Sequence, residues 1–421
     1  MRELHAVYAF FAALAAAAVL TPLAARFAVR VGAIDQPSAR GLSDRLTPRL
    51  GGLAIFAGVL LTGALWLPAT AETHGILGGA AVITLVGAID DVRDLPPHWK
   101  LAGQFLAGLI PVLAGVHVSN VTLPFLGAIS FHGFGGAVTL VGLVGVMNVV
   151  NLSDGVDGLA AGVCAISGAA FAIIAFDLAP RAPAGVLAAL TAGAALGFLV
   201  HNFPPASVFM GDCGSNLLGL LLGCVAVQGT LKTNAVIALV VPLVILAVPF
   251  LDTGFVVAKR LKYRRKVWSA DQNHFHHRMA RIGFSQRRTV LYLYAWTVSL
   301  AGLAVALRFV PYSDHHGHFH TGWSLVMAGL GALVLSASVY LVYVLEILKL
   351  RRVRTGQYRR ADPTTTEQEI VERVERELET GEFQSLARDP DAPAEPRRDG
   401  GPARPAPDPR PDDAQAAGSR P

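Results

Sequence analysis

Eleven apolar runs divide the first 350 residues of this chain, each ending in a polar or charged cluster. They are Ala6–Val29, Gly51–Pro68, Gly75–Ile89, Leu101–Val116, Gly135–Val150, Leu159–Phe176, Ala184–Val200, Asn216–Gln228, Ala235–Leu251, Val290–Val310 and Gly322–Leu348. An α-helix needs roughly 20 mainly apolar residues, with a range of about 17–25, to cross the hydrocarbon core of a bilayer. No water satisfies the backbone there, so only helices and closed barrels cross it. The runs therefore predict an all-α, polytopic integral membrane protein with about eleven transmembrane helices. Charge content agrees: 15% of residues are charged, against about 25% in soluble domains. The first run is longer than the apolar core of a signal peptide and arginines follow it, so it is read as a span. Cys164, Cys213 and Cys224 are odd in number and fit neither a disulfide framework nor a zinc spacing.

Lysine and arginine sort the connecting segments into two sets. Segments after odd-numbered spans hold Arg30, Arg40, Arg45, Arg49, Arg93, Lys100, the basic stretch from Lys259 to Arg288, and Lys349 to Arg354. Those after even-numbered spans offer only Arg181, Lys232 and Arg308. The positive-inside rule puts the N-terminus outside and the C-terminus in the cytoplasm. Residues 1–350 then form a transmembrane catalytic domain. Residues 351–388 form a cytoplasmic basic segment with a short amphipathic helix, on which Ile370, Val374 and Leu378 share a face and Thr364 and Glu367 offer a capping box. Residues 389–421, rich in Pro, Ala, Asp and Arg, read as a disordered tail.

Five polar clusters fall on the cytoplasmic side in this topology. They are "DQPSARGLSDRLTPRLGG" from Asp35, "GAIDDVRDLPPHWK" from Gly87, "NVVNLSDGVDGLAAG" from Asn148, "HNFPPASVFMGDCGSN" from His201 and "DQNHFHHRM" from Asp271. A transporter concentrates ionisable residues near the bilayer midplane. Collection at helix ends on one surface instead suits an enzyme joining a water-soluble substrate to a lipid. Asp90, Asp91, Asp154, Asp157 and Asp212 supply hard oxygens that repel one another unless a cation enters. Mg²⁺, with Mn²⁺ as the alternative, takes carboxylates together with water and phosphate oxygens. Glycines in "DGVDG" and "MGDCGS" allow close approach and free amides for phosphates, and Lys100 adds positive charge. That set describes phosphoryl transfer. Singly, "DDVRD" also matches ordinary loop acids and "DGVDG" an ordinary turn. The run "DHHGHFH" from Asp314 falls on the outer side and is given no role.

Together the motifs resemble the polyprenyl-phosphate N-acetylhexosamine-1-phosphate transferases, a polytopic membrane family, over about Val31 to Gly283. "DQNHFHHR" looks most like the bacterial branch that uses UDP-N-acetylglucosamine to begin cell-envelope glycans. The resemblance implies transfer of a sugar phosphate from a UDP-sugar to undecaprenyl or decaprenyl phosphate in the plasma membrane, with UMP released. It implies a Mg²⁺ site at Asp91, Asp154 and Asp212, and a catalytic set of Asp90, Asp91, Lys100, Asp154, His274, His276 and His277. Substrate contacts are implied for Asn148, Asn151, Asp157, Asn202, Phe209 and Arg49, with Phe209 stacking on uracil. Nucleic acid is not an expected partner, and a homodimer is one of the oligomeric states left open. The chain departs from the family where an Arg-Lys pair and a histidine are common: Gly41 follows Arg40, and Ser43 stands at the histidine position. Rival readings are a transporter or flippase of lipid-linked sugars, the same chemistry on UDP-MurNAc-pentapeptide, and a CDP-alcohol phosphatidyltransferase. The last lacks the expected alanine-arginine pair after its DG motif.

Overall fold

The computed structural model describes residues 2–35, 46–118, 120–123, 127–131, 133–178, 183–229, 246–247, 250–251, 285–311, 320–361, 366, 369–370 and 372–374. Ten helices run through them: α1 (Arg2–Val31), α2 (Gly51–Trp66), α3 (Ala71–Arg93), α4 (Pro97–Leu113), α5 (Gly135–Ser153), α6 (Leu159–Leu178), α7 (Pro183–Asn202), α8 (Gly211–Gly229), α9 (Gln286–Phe309) and α10 (Thr321–Ala361). Two short antiparallel ribbons lie between helices. β1 (Ile34–Asp35) pairs with β2 (Thr47–Pro48), Asp35 opposite Thr47. β3 (Asn120–Leu123) pairs with β4 (Gly127–Ser130), Asn120 opposite Ser130.

Seven of the described helices are long and apolar enough to cross a membrane, within α1, α3, α5, α6, α7, α9 and α10. The fold is thus all-α and polytopic. α2, at 16 residues, is shorter. The ninth apolar run, Ala235–Leu251, lies largely outside the described residues. Several helices begin before their apolar runs: α3 starts at Ala71, α4 at Pro97 and α8 at Gly211. Pro97 suits the first turn of α4, where its missing N–H costs no intrahelical bond.

α8 is the central post, buried from Cys213 to Gly229, as an apolar helix hemmed in on every side must be. It packs against α2, α3, α5, α6 and α7. Small residues set the closest approaches. Ala9, Ala13 and Ala17 form the buried stripe of α1, and α7 meets that helix through Gly193 and Gly197. A Cβ at either glycine would fall within 2.2 Å of a carbonyl oxygen of α1. Small residues let membrane helices gain dispersion energy where lipid supplies no hydrophobic drive. The far side of α1 exposes Tyr8, Phe11, Val19, Leu23 and Phe27, the face a lipid-embedded helix turns outward. Cys164, Cys213 and Cys224 are buried free thiols.

A second compact unit begins at Arg351. There Tyr358, Ile370 and Val374 form a small apolar cluster, and the Glu369 carboxylate accepts the Thr366 N–H at 3.3 Å. This cap sits two residues beyond the expected Thr364–Glu367 pair, which lies with Leu378 outside the described residues.

Candidate active site

The C-terminal ends of α3, α5 and α7 and the N-terminal ends of α2, α4, α6, α8 and α9 supply one polar constellation. Asp90 and Asp91 stand in the last turn of α3, which ends at Asp94 in the left-handed region, φ 47°. Asp90 is only 4% exposed. Its Oδ1 accepts the Leu95 N–H at 2.7 Å and its Oδ2 lies 2.5 Å from Lys100 Nζ. Lys100, in the first turn of α4, also lies 3.1 Å from Asp212 Oδ2. One ammonium therefore ties the ends of α3 and α4 to the start of α8.

Asp91 caps α8. Its Oδ1 accepts the Asp212 N–H at 2.8 Å and its Oδ2 the Cys213 N–H at 3.2 Å, satisfying amides that the helix leaves unpaired at its positive dipole end. Gly211 precedes them with φ +72°, and a Cβ there would sit 2.3 Å from Asp91 Oδ2. Only glycine meets both demands.

Asp212 is held on both oxygens. Asn151 Nδ2 donates to its Oδ1 at 3.0 Å and to Ser215 Oγ at 2.9 Å, while Lys100 takes Oδ2. Behind it runs an amide chain: Asn148 Nδ2 to Gln104 Oε1, 2.8 Å, and Gln104 Nε2 to Asn216 Oδ1, 2.8 Å. Asn216 Nδ2 closes it on the Asp212 carbonyl at 2.9 Å. Buried amides are costly unless paired; here each supports the next.

In front of Asp212 opens a cavity of about 290 Å³ lined by Asp35, Arg49, Asp91, Asn151, Asp154, Asp157, Asn202, Phe209 and Gln286 among others. Asp154, just past the end of α5, is half-buried, and among the described residues no donor is recorded on its carboxylate. Burial first, then the charges of Asp212, Asp91 and Asp157, push its pKa well above the usual carboxylate range. Burial also raises Asp157, against the hydrogen bond from the Ala206 N–H and the nearby Gln286 side chain. Asp157 Oδ2 accepts that N–H at 2.9 Å. Asn202 joins the same two loops, its Oδ1 accepting from Gly158 N and its Nδ2 donating to Val208 O, both 2.9 Å.

Phe209 is the aromatic side chain on the cavity wall among the described residues. Its N–H donates to Pro48 O at 2.9 Å and its carbonyl accepts from Gly51 N at 3.0 Å. The "PRLGG" segment is thereby stitched to the entrance of α8, with Arg49 in the wall beside its ion-pair partner Asp35. Gly52 makes this contact feasible, since a Cβ there would lie 2.2 Å from Gly214 N.

Asp91, Asp154 and Asp212 thus share one cavity, yet among the described residues no three Asp, Glu, His or Cys side chains form a ready-made metal cage. Two of the three are already engaged, Asp91 by the amides of α8 and Asp212 by Lys100 and Asn151. Asp90 and Lys100 are not on the cavity wall but behind Asp212. His274, His276 and His277, with Arg40, Ser43 and Arg45, lie outside the described residues.

Comparison with known proteins decides the lineage. The family model described as glycosyl transferase family 4 matches residues 73–230. The chain is 35% identical over 296 residues to the probable undecaprenyl-phosphate N-acetylglucosaminyl 1-phosphate transferase of Bacillus subtilis, covering 70% of this chain and 82% of that protein. It is 33% identical over 356 residues to the decaprenyl-phosphate N-acetylglucosaminephosphotransferase of Mycolicibacterium smegmatis, covering 77% and 84%. The undecaprenyl-phosphate alpha-N-acetylglucosaminyl 1-phosphate transferase of Yersinia pestis is 28% identical over 305 residues, covering 69% and 81%. The chain belongs to glycosyl transferase family 4. The family-matched stretch contains every site residue from Asp90 to Asp212 named above.

Several site residues of this family 4 protein were not anticipated. Gln104 and Asn216 sit within expected spans, where a polar side chain is itself a signal of function. Asp35 was visible within its polar cluster, without a role. Gln286, Arg287 and Tyr294 reach the site from α9, far along the chain, and no local pattern marks them.

Proposed function

We propose that this protein transfers N-acetylglucosamine-1-phosphate from UDP-N-acetylglucosamine to undecaprenyl or decaprenyl phosphate, releasing UMP, at the cytoplasmic face of the plasma membrane. The observation that carries this reading is the convergence of Asp91, Asp154 and Asp212 with Phe209 in one cavity, backed by Lys100 and Asp90. The names of the relatives support the substrate class, and the basic segments support the cytoplasmic face.

The donor set fits a magnesium ion. Asp154 offers an ionisable carboxylate that accepts no hydrogen bond among the described residues, amid other carboxylates. Asp212 lies across the same cavity, and one or two carboxylates completed by substrate phosphate is the coordination Mg²⁺ favours. When bound, the ion would neutralise charge on the diphosphate.

Phe209 offers its face to the base and Arg49 a cation to the phosphates. Lys100, held between Asp90 and Asp212, keeps positive charge behind Asp212, and in front of it the lipid phosphate enters the cavity. Its oxygen attacks the β-phosphorus, the bond to the bridging oxygen breaks, and UMP carries that electron pair away. Attack is direct: Asp90 is buried with an N–H on one oxygen and an ammonium on the other, unsuited to act as a nucleophile, and serves to orient Lys100. His274, His276 and His277 are assigned to the diphosphate or sugar.

The test is purified protein in detergent with UDP-N-acetylglucosamine, polyprenyl phosphate and Mg²⁺. Release of UMP dependent on both substrates is expected. No release across a panel of UDP-sugars would overturn the reading in favour of a transporter.

A further inference from the structure

Arg287, Val290 and Tyr294 follow one another along α9 at i, i+3 and i+7, the spacing that lines one side of a helix. That side meets both loops of the cavity wall, residues 154–158 between α5 and α6 and residues 203–210 between α7 and α8. An apolar cluster joins Val290, Leu293 and Trp296 to Val156, with Phe203 and Tyr294 packed against it. Each loop thus gives α9 one apolar side chain. Each also gives it a carbonyl. Arg287 donates Nε to the Pro204 carbonyl at 2.7 Å, and the Tyr294 hydroxyl donates to the Gly158 carbonyl at 2.5 Å.

Gly158 is fixed on both sides of its peptide. Its N–H donates to Asn202 Oδ1 at 2.9 Å, and its carbonyl also accepts the Gly162 N–H at 2.9 Å. The Tyr294 ring reaches that carbonyl across Gly162, where a Cβ would fall 2.1 Å from the ring. Beside it, Asp157 Oδ2 accepts the Ala206 N–H at 2.9 Å. The turn of Asp157 and the loop leading to Phe209 are therefore cross-tied, and α9 bears on both. Asp154 is held from the other end of its loop, its N–H on the Asn151 carbonyl at 3.1 Å. Lys100 and Asp212 belong to α4 and α8. Loss of the Tyr294 hydroxyl should disturb the wall around the base and spare the carboxylates at the diphosphate.

We propose that Tyr294 is a positioning residue for the nucleotide donor. Its hydroxyl fixes the Gly158 carbonyl and, through the Asn202–Gly158 and Asp157–Ala206 bonds, the separation between Asp157 and Phe209 in which the base is held. Tyr294 is not among the side chains that line the cavity, so it acts through the turn and not on the substrate. The inference rests on the donor being a uridine nucleotide.

The test compares wild type, Tyr294→Phe and Ser338→Ala in detergent, by steady-state kinetics and by equilibrium binding of UMP. Phenylalanine keeps the ring over Gly162 and removes only the hydroxyl. Tyr294→Phe should raise the KM for UDP-N-acetylglucosamine and the Kd for UMP about tenfold, the equivalent of one lost hydrogen bond. Its kcat, its KM for polyprenyl phosphate and its Mg²⁺ requirement should stay unchanged. Ser338 accepts from Trp296 Nε1 at 2.7 Å where α9 meets α10. Ser338→Ala removes a hydrogen bond of the same helix away from the two loops, and should leave every value as in wild type. Unchanged donor affinity in Tyr294→Phe, or parallel loss toward both substrates, would overturn the proposal. So would an equal loss of donor affinity in Ser338→Ala, which would mark a general loosening of α9. A wild-type protein that binds no UMP would instead overturn the uridine reading, and the inference with it.

Discussion

Asp154 faces a different task from the carboxylates around it. Asp91 spends its charge on the amides of α8 and Asp212 on Lys100 and Asn151, whereas Asp154 is pushed well above the usual carboxylate range by burial and by its neighbours. Its folded pKa therefore exceeds its unfolded one, about 3.9. The folded protein binds the extra proton, so metal-free stability is greatest below that value and declines as pH climbs toward the folded pKa. Asparagine has no proton to lose. Asp154→Asn should melt higher than wild type in EDTA at pH 7.5, by about 2–4 °C per kcal/mol of relieved repulsion, while turnover falls about a hundredfold or more. Thermal unfolding in detergent and UMP release check both halves, and a lower melting temperature for the variant would contradict this account. Asp91→Ala should act in the opposite sense, costing about 1–2 kcal/mol as a lost helix cap does. The comparison reads a cation-seeking carboxylate against a capping one, a distinction that "DDVRD" and "DGVDG" do not carry as strings.

Between helices, precision comes from glycine. A Cβ at Gly87 of α3 would stand 2.4 Å from the Cys213 backbone, where no side chain can swing aside. Gly87→Ala must prise α3 from α8 and carry Asp212 away from Asp91 and Lys100. Overpacking of this kind costs about 1–3 kcal/mol, and a displacement of about 1 Å can cost a hundredfold in rate. Gly145 of α5 meets nothing within 4 Å among the described residues, so Gly145→Ala should leave turnover unchanged and, by helix propensity, gain up to about 1 kcal/mol. Turnover and melting temperature of the two variants should diverge; matched behaviour would dissociate glycine packing from the site. Both glycines sit in apolar runs and read alike in the sequence. Their difference exists only once α8 stands against α3. For the same reason the spans and acidic clusters were legible, since dehydration sets both, whereas the reach of α9 to the loops at Gly158 and Pro204 was not. Arg287 and Tyr294 act through hydrogen bonds to loops 83 and 136 residues earlier in the chain, and one polar residue near a helix start carries no mark of its tertiary partner.

At the scale of the whole molecule, one end of the bundle gathers the reactive groups and the other holds structural pairs. Gln228 Nε2 donates to Glu72 Oε2 at 2.7 Å, and Arg308 lies 2.5 Å from Asp177; these link the opposite ends of α3 with α8 and of α6 with α9. α4 offers a direct way to ask which end faces the cytoplasm. It has 17 residues, about 26 Å at 1.5 Å per residue, close to the roughly 30 Å hydrocarbon thickness. His98 is exposed in its first turn, beside Lys100, and His117 is exposed just past its last. Cys164, Cys213 and Cys224 are all buried, so background labelling should be low. In intact cells a membrane-impermeant maleimide should label His117→Cys, and should reach His98→Cys only after permeabilisation. That pattern puts the cavity on the side where Lys and Arg accumulate. The reverse pattern would place the constellation outside and detach the charge distribution from the topology it implies.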